Sequence, residues 1–357
     1  MGRQRSFQPD MIDSLLIRSA NWIGDAVMST PAVRAIGKTF ANATISMLAK
    51  PLVAPVFENS PHVDRMVVYA DNDRHHGFAG KLRLAGELRR EQYDAALLLQ
   101  NAFEAAFITA MARIPVRIGY TTDARRLLLT HPVKNPKLYK QGHHVDYYLG
   151  ILQGMGMEAD REPLFLDAGA ENRGRAEQIL ADQGMADRPL LGLSPGATFG
   201  PAKQWHPERY AAVADRLCAE GDWGVMLLGG PGDRAISEVI AEKMSVTAVN
   251  LCGRTTVGEA MALVERCGLF VTNDSGLMHV AAAFDVPLVA VFGSTDPVAT
   301  GPLGTRSRVV RVDVPCSPCL KPECPEGHFD CMNRITADMV VAAAGEVLAA
   351  DMPLRNA

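Results

Sequence analysis

Short apolar runs rich in Leu, Ile, Val and Ala recur along the chain, separated by longer stretches in which apolar residues return every three or four positions. The first pattern fits a strand buried on both faces, the second a helix with one apolar stripe. In the first half this predicts strands at 14–18, 43–48, 65–69, 95–99 and 116–119, and helices at 25–36, 82–90, 104–112 and 144–155. A second alternation predicts strands at 190–194, 224–228, 249–251, 269–272 and 288–292, with helices at 207–219, 233–244, 257–266, 277–284 and 336–350. Strands alternating with helices imply parallel sheets covered on both faces. The fold class is therefore α/β, in two successive halves that give a two-lobed protein. Residues 1–165 form the first half, residues 166–187 a polar linker region containing an amphipathic helix (174–183), and residues 188–357 the second half. Ligands of such sheets bind outside the carboxyl ends of the strands, so a cleft between the halves is the expected site.

Several strand ends carry polar or glycine-rich turns. Thr272-Asn-Asp-Ser-Gly276 joins a strand to a helix, which aims backbone N–H groups and the positive helix end at an anion. Asp274, Ser275 and His279 can bond sugar or phosphate oxygens there. Simple helix capping by Asp274 or Ser275 is the alternative, and it leaves His279 unexplained. The loop Pro195-Gly-Ala-Thr-Phe-Gly-Pro-Ala-Lys-Gln-Trp205 offers close backbone approach at Gly196 and Gly200, a hydroxyl at Thr198 and a mobile cation at Lys203. A surface role is the alternative for that lysine. In Gly229-Gly-Pro-Gly-Asp233 the acid either holds ribose hydroxyls or caps the following helix. Asp25, at a loop-to-helix transition, is either a helix-start residue or a general base. No G-x-x-x-x-G-K-[ST] and no G-x-G-x-x-G occurs, which weighs against an NTPase and a dinucleotide dehydrogenase.

Two further patterns raise the question of metals. Asp71-Asn-Asp73 has a D-x-D form that can hold a divalent cation, although a polar loop explains it as well. Cys316, Cys319, Cys324 and Cys331 form a compact cluster in the loop 315–331, with His328 among them. Their spacing does not give two standard C-x2-C pairs, so a structural zinc and free thiols are both open. Cys218, Cys252 and Cys267 fall in the apolar pattern and read as core.

Composition narrows the function classes. The 357 residues carry a net charge of -4, which argues against a general nucleic-acid binder. No apolar run is long enough to span a bilayer, and no apolar signal core follows the basic first residues, so a cytoplasmic location is expected. The charge is uneven: residues 74–144 hold 12 Lys or Arg against five acids, and five of the nine His. A basic region inside an acidic chain suggests an anionic partner, either a phosphorylated acceptor or a membrane surface.

Taken together, Asn21-Trp-Ile-Gly-Asp-Ala-Val-Met-Ser-Thr-Pro31, the 195–205 loop and Thr272-Asn-Asp-Ser-Gly-Leu-Met-His-Val-Ala-Ala282 resemble the bacterial lipopolysaccharide heptosyltransferases of glycosyltransferase family 9, most closely the heptosyltransferase II branch. The resemblance runs in order along nearly the whole chain. It implies the GT-B fold, with two Rossmann-like, doubly wound lobes facing across a cleft, an acceptor-binding first lobe and a nucleotide-sugar-binding second lobe. It implies ADP-L-glycero-β-D-manno-heptose as donor and the lipid-anchored, phosphorylated inner core of lipopolysaccharide as acceptor, at the cytoplasmic face of the inner membrane. Transfer would invert the anomeric centre, add the second heptose and require no cofactor. By the same resemblance Asp25 is the general base, and Lys203 serves catalysis and donor phosphate. Thr198 contacts the donor, Asp274, Ser275, Gly276 and His279 form the donor turn, and Asp233 lies near the ribose. Another nucleotide sugar, or a non-catalytic nucleotide- or lipopolysaccharide-binding role, are the alternatives.

Overall fold

A computed structural model of the chain describes residues 7–135 and 142–350. It divides into two compact units, Met1–Asp167 and Ala168–Ala357. In the first unit the elements run β1 (Ser14–Arg18), α1 (Ile23–Met28), α2 (Thr30–Thr39), β2 (Thr44–Ala49), β3 (Arg65–Val68), α3 (Gly77–Arg90), β4 (Ala95–Leu98), α4 (Phe103–Met111), β5 (Val116–Tyr120), β6 (His131–Val133) and α5 (His144–Gln153). All strand pairs are parallel, in the order β3-β2-β1-β4-β5-β6. Strand β4 is buried along its whole length, because helices cover both faces of the sheet centre.

In the second unit the order is α6 (Gly169–Asp182), β7 (Leu190–Ser194), α7 (Pro207–Glu220), β8 (Gly224–Leu227), α8 (Arg234–Lys243), β9 (Ala248–Asn250), α9 (Val257–Glu265), β10 (Cys267–Asn273), α10 (Gly276–Ala283), β11 (Leu288–Val291), α11 (Pro297–Thr300), β12 (Ser307–Val310), α12 (Asp330–Asn333) and α13 (Ala337–Ala349). The sheet is again parallel, ordered β12-β11-β10-β7-β8-β9. Renumbered from their own first strands, both sheets read 3-2-1-4-5-6. Strand order therefore reverses between β1 and β4 in one unit and between β7 and β10 in the other, the positions where such sheets open to ligands.

The structure departs from the sequence expectation in a few places. The single helix expected at 25–36 is two helices that meet at Ser29. Pro31 has no N–H to give the carbonyl of residue 27, and its ring crowds that carbonyl. Thr30 Oγ1 donates to the Val27 carbonyl instead, at 2.8 Å. The short edge strands β6 and β12 were not anticipated, and both are only partly buried. Helix α6, expected inside a connecting stretch, belongs to the second unit and packs on α9.

Candidate active site

In the first unit, a cleft of about 220 Å³ opens at the β1/β4 reversal. Asn21, Asp25, Gln100, Asn101, His144 and Tyr148 are among its lining residues. Asp25 sits in the first turn of α1, with its side chain about 30% exposed. Tyr148 Oη donates to Asp25 Oδ1 at 3.1 Å, and His144 Nδ1 lies 3.8 Å from the same oxygen. The two partners are four residues apart on α5 and so share one face of that helix. The acid is thus held by a hydroxyl, while much of its carboxylate still faces the cleft.

Buried cations fix the cleft walls. Arg18, at the carboxyl end of β1, donates to the Ser19 carbonyl and to Asn21 Oδ1, both at 2.7 Å, and lies over the Tyr69 ring. Burial lowers its pKa to about 10, opposed by Glu104, Tyr69 and Asp71. Tyr69 Oη donates to Glu104 at 2.8 Å, and Lys81 pairs with Glu104 at 2.6 Å. Burial would raise Glu104, but hydrogen bonds from Lys81 and Tyr69 override it and leave this acid lowered. Arg125, fully buried, donates to the carbonyls of Tyr120 and Gln100 and to Asn101 Oδ1. It therefore pins the β4–α4 loop that forms one side of the cleft.

In the second unit the corresponding reversal holds the charged cluster. Lys203 pairs with Asp274 at 2.6 Å, both nearly buried, and its ammonium lies 4.9 Å from the Phe199 ring centre. Thr295 Oγ1 donates to the same Asp274 oxygen at 2.7 Å. Asp274 therefore does not cap α10. Ser275 is the residue before α10 and makes no side-chain cap either, since its hydroxyl meets Thr272 Oγ1 at 3.0 Å. No side chain therefore caps the amide groups at the start of α10. His279 is buried one turn further along, and Thr198 is exposed on the 195–203 loop.

The two glycine-rich loops converge on Asp233. A side chain at Gly196 would come within 2.4 Å of the Asp233 carboxyl, and one at Gly229 within 2.7 Å. Asp233 accepts from the Gly230 N–H at 2.8 Å, which caps the short turn Pro231–Asp233, and its side chain gives no cap to α8 itself. Its carboxyl is raised above the ordinary value by burial, with the Gly230 bond opposing.

The cysteine loop also reaches this cluster. The Pro322 carbonyl accepts from the Ala202 N–H at 3.0 Å, and Gly200, at φ 149°, leaves room for it. A Cβ at Gly200 would lie 2.3 Å from that oxygen. Leu320 N–H donates to Ser294 at 2.8 Å, and Ser317 Oγ to Gly293 at 2.7 Å. One loop thus ties the strand ends carrying Lys203 and Thr295. Sequence reasoning missed Tyr148, Thr295 and Pro322 because each comes from a segment distant along the chain.

The metal readings find little in the geometry. All seven cysteines are free thiols, and among the described residues no group of three or more His, Cys, Asp or Glu is arranged to hold a metal ion. Burial raises the Cys331 thiol, and Cys319, Cys316 and Cys324 raise it further. Asp71 of the D-x-D pattern pairs with Lys50 at 2.6 Å. Of the basic stretch, Lys137 and Lys140 lie outside the described residues. Among the described residues no helix is long and apolar enough to cross a membrane.

A family model described as glycosyltransferase family 9 (heptosyltransferase) matches residues 81–330. The chain belongs to glycosyltransferase family 9. Within this family it is 31% identical over 348 residues to lipooligosaccharide heptosyltransferase 2 of Haemophilus influenzae, covering 94% of this chain and 99% of that one. It is 32% identical over 337 residues to lipopolysaccharide heptosyltransferase 2 of Salmonella typhimurium, covering 92% and 96%. Among solved structures, E. coli ADP-heptose lps heptosyltransferase II superposes with a TM-score of 0.81 at 27% identity, over 95% of this chain and 99% of that chain. A family 9 glycosyltransferase from Veillonella parvula superposes at 0.86 with 24% identity, covering 94% and 97%, and shares the fold. The paired parallel sheets of this family 9 glycosyltransferase are the GT-B fold.

Proposed function

We propose that this glycosyltransferase moves L-glycero-D-manno-heptose from ADP-heptose to the inner core of lipopolysaccharide as the second heptose, with inversion at the anomeric carbon. The end-to-end similarity to heptosyltransferase 2 enzymes carries this reading. The division of polar groups between the units supports it. The first unit offers a partly exposed acid in a cleft, and the second offers a cation and helix-start amides suited to a diphosphate.

In the proposed reaction an acceptor hydroxyl oxygen attacks the anomeric carbon, and Asp25 takes its proton. The bond from that carbon to the diphosphate oxygen breaks, and ADP leaves with the electron pair. Lys203 and the N–H groups at Ser275 and Gly276 meet the charge developing on the diphosphate. Asp274 and Thr295 hold Lys203 in place, Asp233 serves the ribose, and Thr198 and His279 complete the donor contacts. A lipid-anchored acceptor puts the enzyme in peripheral contact with the inner membrane. A structural zinc on Cys316, Cys319, Cys324 and Cys331 is kept as a separate proposal, supported by four thiols within one sixteen-residue loop. Elemental analysis of the purified protein tests it: about one zinc per chain is expected, and no bound metal removes it.

Mass spectrometry of the product from ADP-heptose and a one-heptose core acceptor tests the function. Acceptor extended by one heptose is the expected result. No extension, or extension only with a UDP- or GDP-sugar, contradicts it.

A further inference from the structure

The carboxyl edge of the first sheet carries an exposed aromatic and aliphatic patch that the transfer reaction does not use. Phe78 stands at the start of α3 and Phe103 at the start of α4, so both follow the carboxyl ends of their strands. Leu127 lies in the turn 125–128 that follows β5. Phe78 is 68% exposed, Phe103 44% and Leu127 93%. They are not scattered. Phe107 bridges the two rings, 5.8 Å from Phe78 and 6.2 Å from Phe103, and Asp123 in the loop before Leu127 accepts from the Phe103 N–H at 2.6 Å. Leu82 and Met111, also exposed, extend the stripes of α3 and α4 by a turn or two. Isolated exposed apolar residues are ordinary, but a contiguous group of large ones marks an interaction surface.

The charges beside the patch select its occupant. Arg83 donates to the Arg74 carbonyl at 2.9 Å, which keeps both beside the amino end of α3, and Arg126 adjoins Leu127. Of the nearby acids, Glu104 is matched by Lys81 at 2.6 Å and Glu87 by Arg74 at 3.7 Å, Asp123 is engaged by the Phe103 N–H, and Asp73 is exposed in the turn before α3. Among the described residues neither Arg83 nor Arg126 stands in an ion pair. Large apolar side chains flanked by unmatched Arg fit the headgroup region of an anionic bilayer, where rings enter the acyl boundary and guanidinium groups meet phosphates. The Asp25 cleft opens on the same sheet edge, because the Gln100–Asn101 loop that lines it leads directly into Phe103.

We infer that Phe78, Phe103 and Leu127, with Arg83 and Arg126, form a docking surface for an anionic lipid bilayer, which holds the Asp25 cleft near a membrane-anchored acceptor. This rests on the lipid-linked acceptor proposed above. Co-sedimentation with phosphatidylglycerol and phosphatidylcholine vesicles tests it, using the full chain and the double variants Phe78→Ser/Leu127→Ser and Arg83→Glu/Arg126→Glu. The parent is expected to sediment with phosphatidylglycerol vesicles only, and less so as salt rises. Each double variant should lose about tenfold in vesicle affinity. Both should keep the parent's melting temperature and its turnover on a soluble, acyl-free acceptor. No binding by the parent, or undiminished binding by Phe78→Ser/Leu127→Ser, overturns the inference. So does a parent dimer in sedimentation velocity that this variant dissolves, which would make the patch a self-association face. Vesicle binding without turnover on the soluble acceptor would instead leave the surface standing and remove the proposed function.

Discussion

Lys203 and Asp274 show how one contact serves both stability and chemistry. With both side chains nearly buried, removing the cation leaves Asp274 with only threonine hydroxyls. Lys203→Ala is therefore expected to cost about 3 kcal/mol of stability as well as donor binding. A Lys203→Met/Asp274→Leu double variant removes both charges and should regain most of the stability but no turnover. Thermal melts and donor titrations on both variants separate the two effects, and a double variant that turns over normally would exclude Lys203 from the site. Tyr148→Phe deletes the hydroxyl held on Asp25, and kcat is expected to fall about five- to tenfold at unchanged donor KM. Unaltered kcat would show that the hydrogen bond does not orient the acid.

Asp233 gives the pH dependence. Its folded pKa is raised by burial, so the charged form is the disfavoured one in the folded state. Its contribution to stability is complete below the unfolded value of about 4 and is lost as pH rises through the folded value. Asp233→Asn keeps an acceptor for the Gly230 N–H. It should raise the melting temperature above the parent's at about pH 7 and not at about pH 3.5. Equal differences at both pH values would contradict the burial argument. At this scale the sequence was legible where chemistry sits in one continuous loop, as with Lys203, Asp274 and Ser275. It was not legible where tertiary packing supplies the partner, because nothing in the spacing of Tyr148 or Thr295 points to Asp25 or Asp274.

Among the elements, central strands and amphipathic helices carried strong apolar periodicity and were visible in advance. The edge strands β6 and β12 were not, since each buries only part of one face and leaves no apolar run. The cysteine loop is a different case. Its thiols drew attention to metals, whereas its contacts in the structure include backbone bonds to the Ala202 and Ser294 segments and a Ser317 hydroxyl bond to Gly293. Gly200→Ala would drive a methyl into the Pro322 carbonyl at a φ of 149°, which side chains rarely adopt. This should cost about 1–3 kcal/mol and weaken donor affinity through displacement of Lys203, while acceptor affinity is unchanged. Calorimetric titration with ADP checks it, and parental affinity would mean that the loop does not position the lysine.

For the molecule as a whole, the two halves were readable as α/β because each repeats the strand–helix alternation. The identical 3-2-1-4-5-6 order of both sheets was not readable, since order depends on which strands pair and not on how they are spaced. That shared order places Asp25 at one strand reversal and Lys203 with Asp274 at the other, and the proposed reaction divides its work accordingly. The most direct measurement is turnover of ADP-heptose and a one-heptose acceptor by the parent and Asp25→Ala, read by mass spectrometry alongside ADP-heptose affinity. The account predicts heptose addition by the parent, a loss of at least about a thousandfold in the variant, and donor affinity within about twofold of the parent's. A variant that turns over near the parental rate would contradict it.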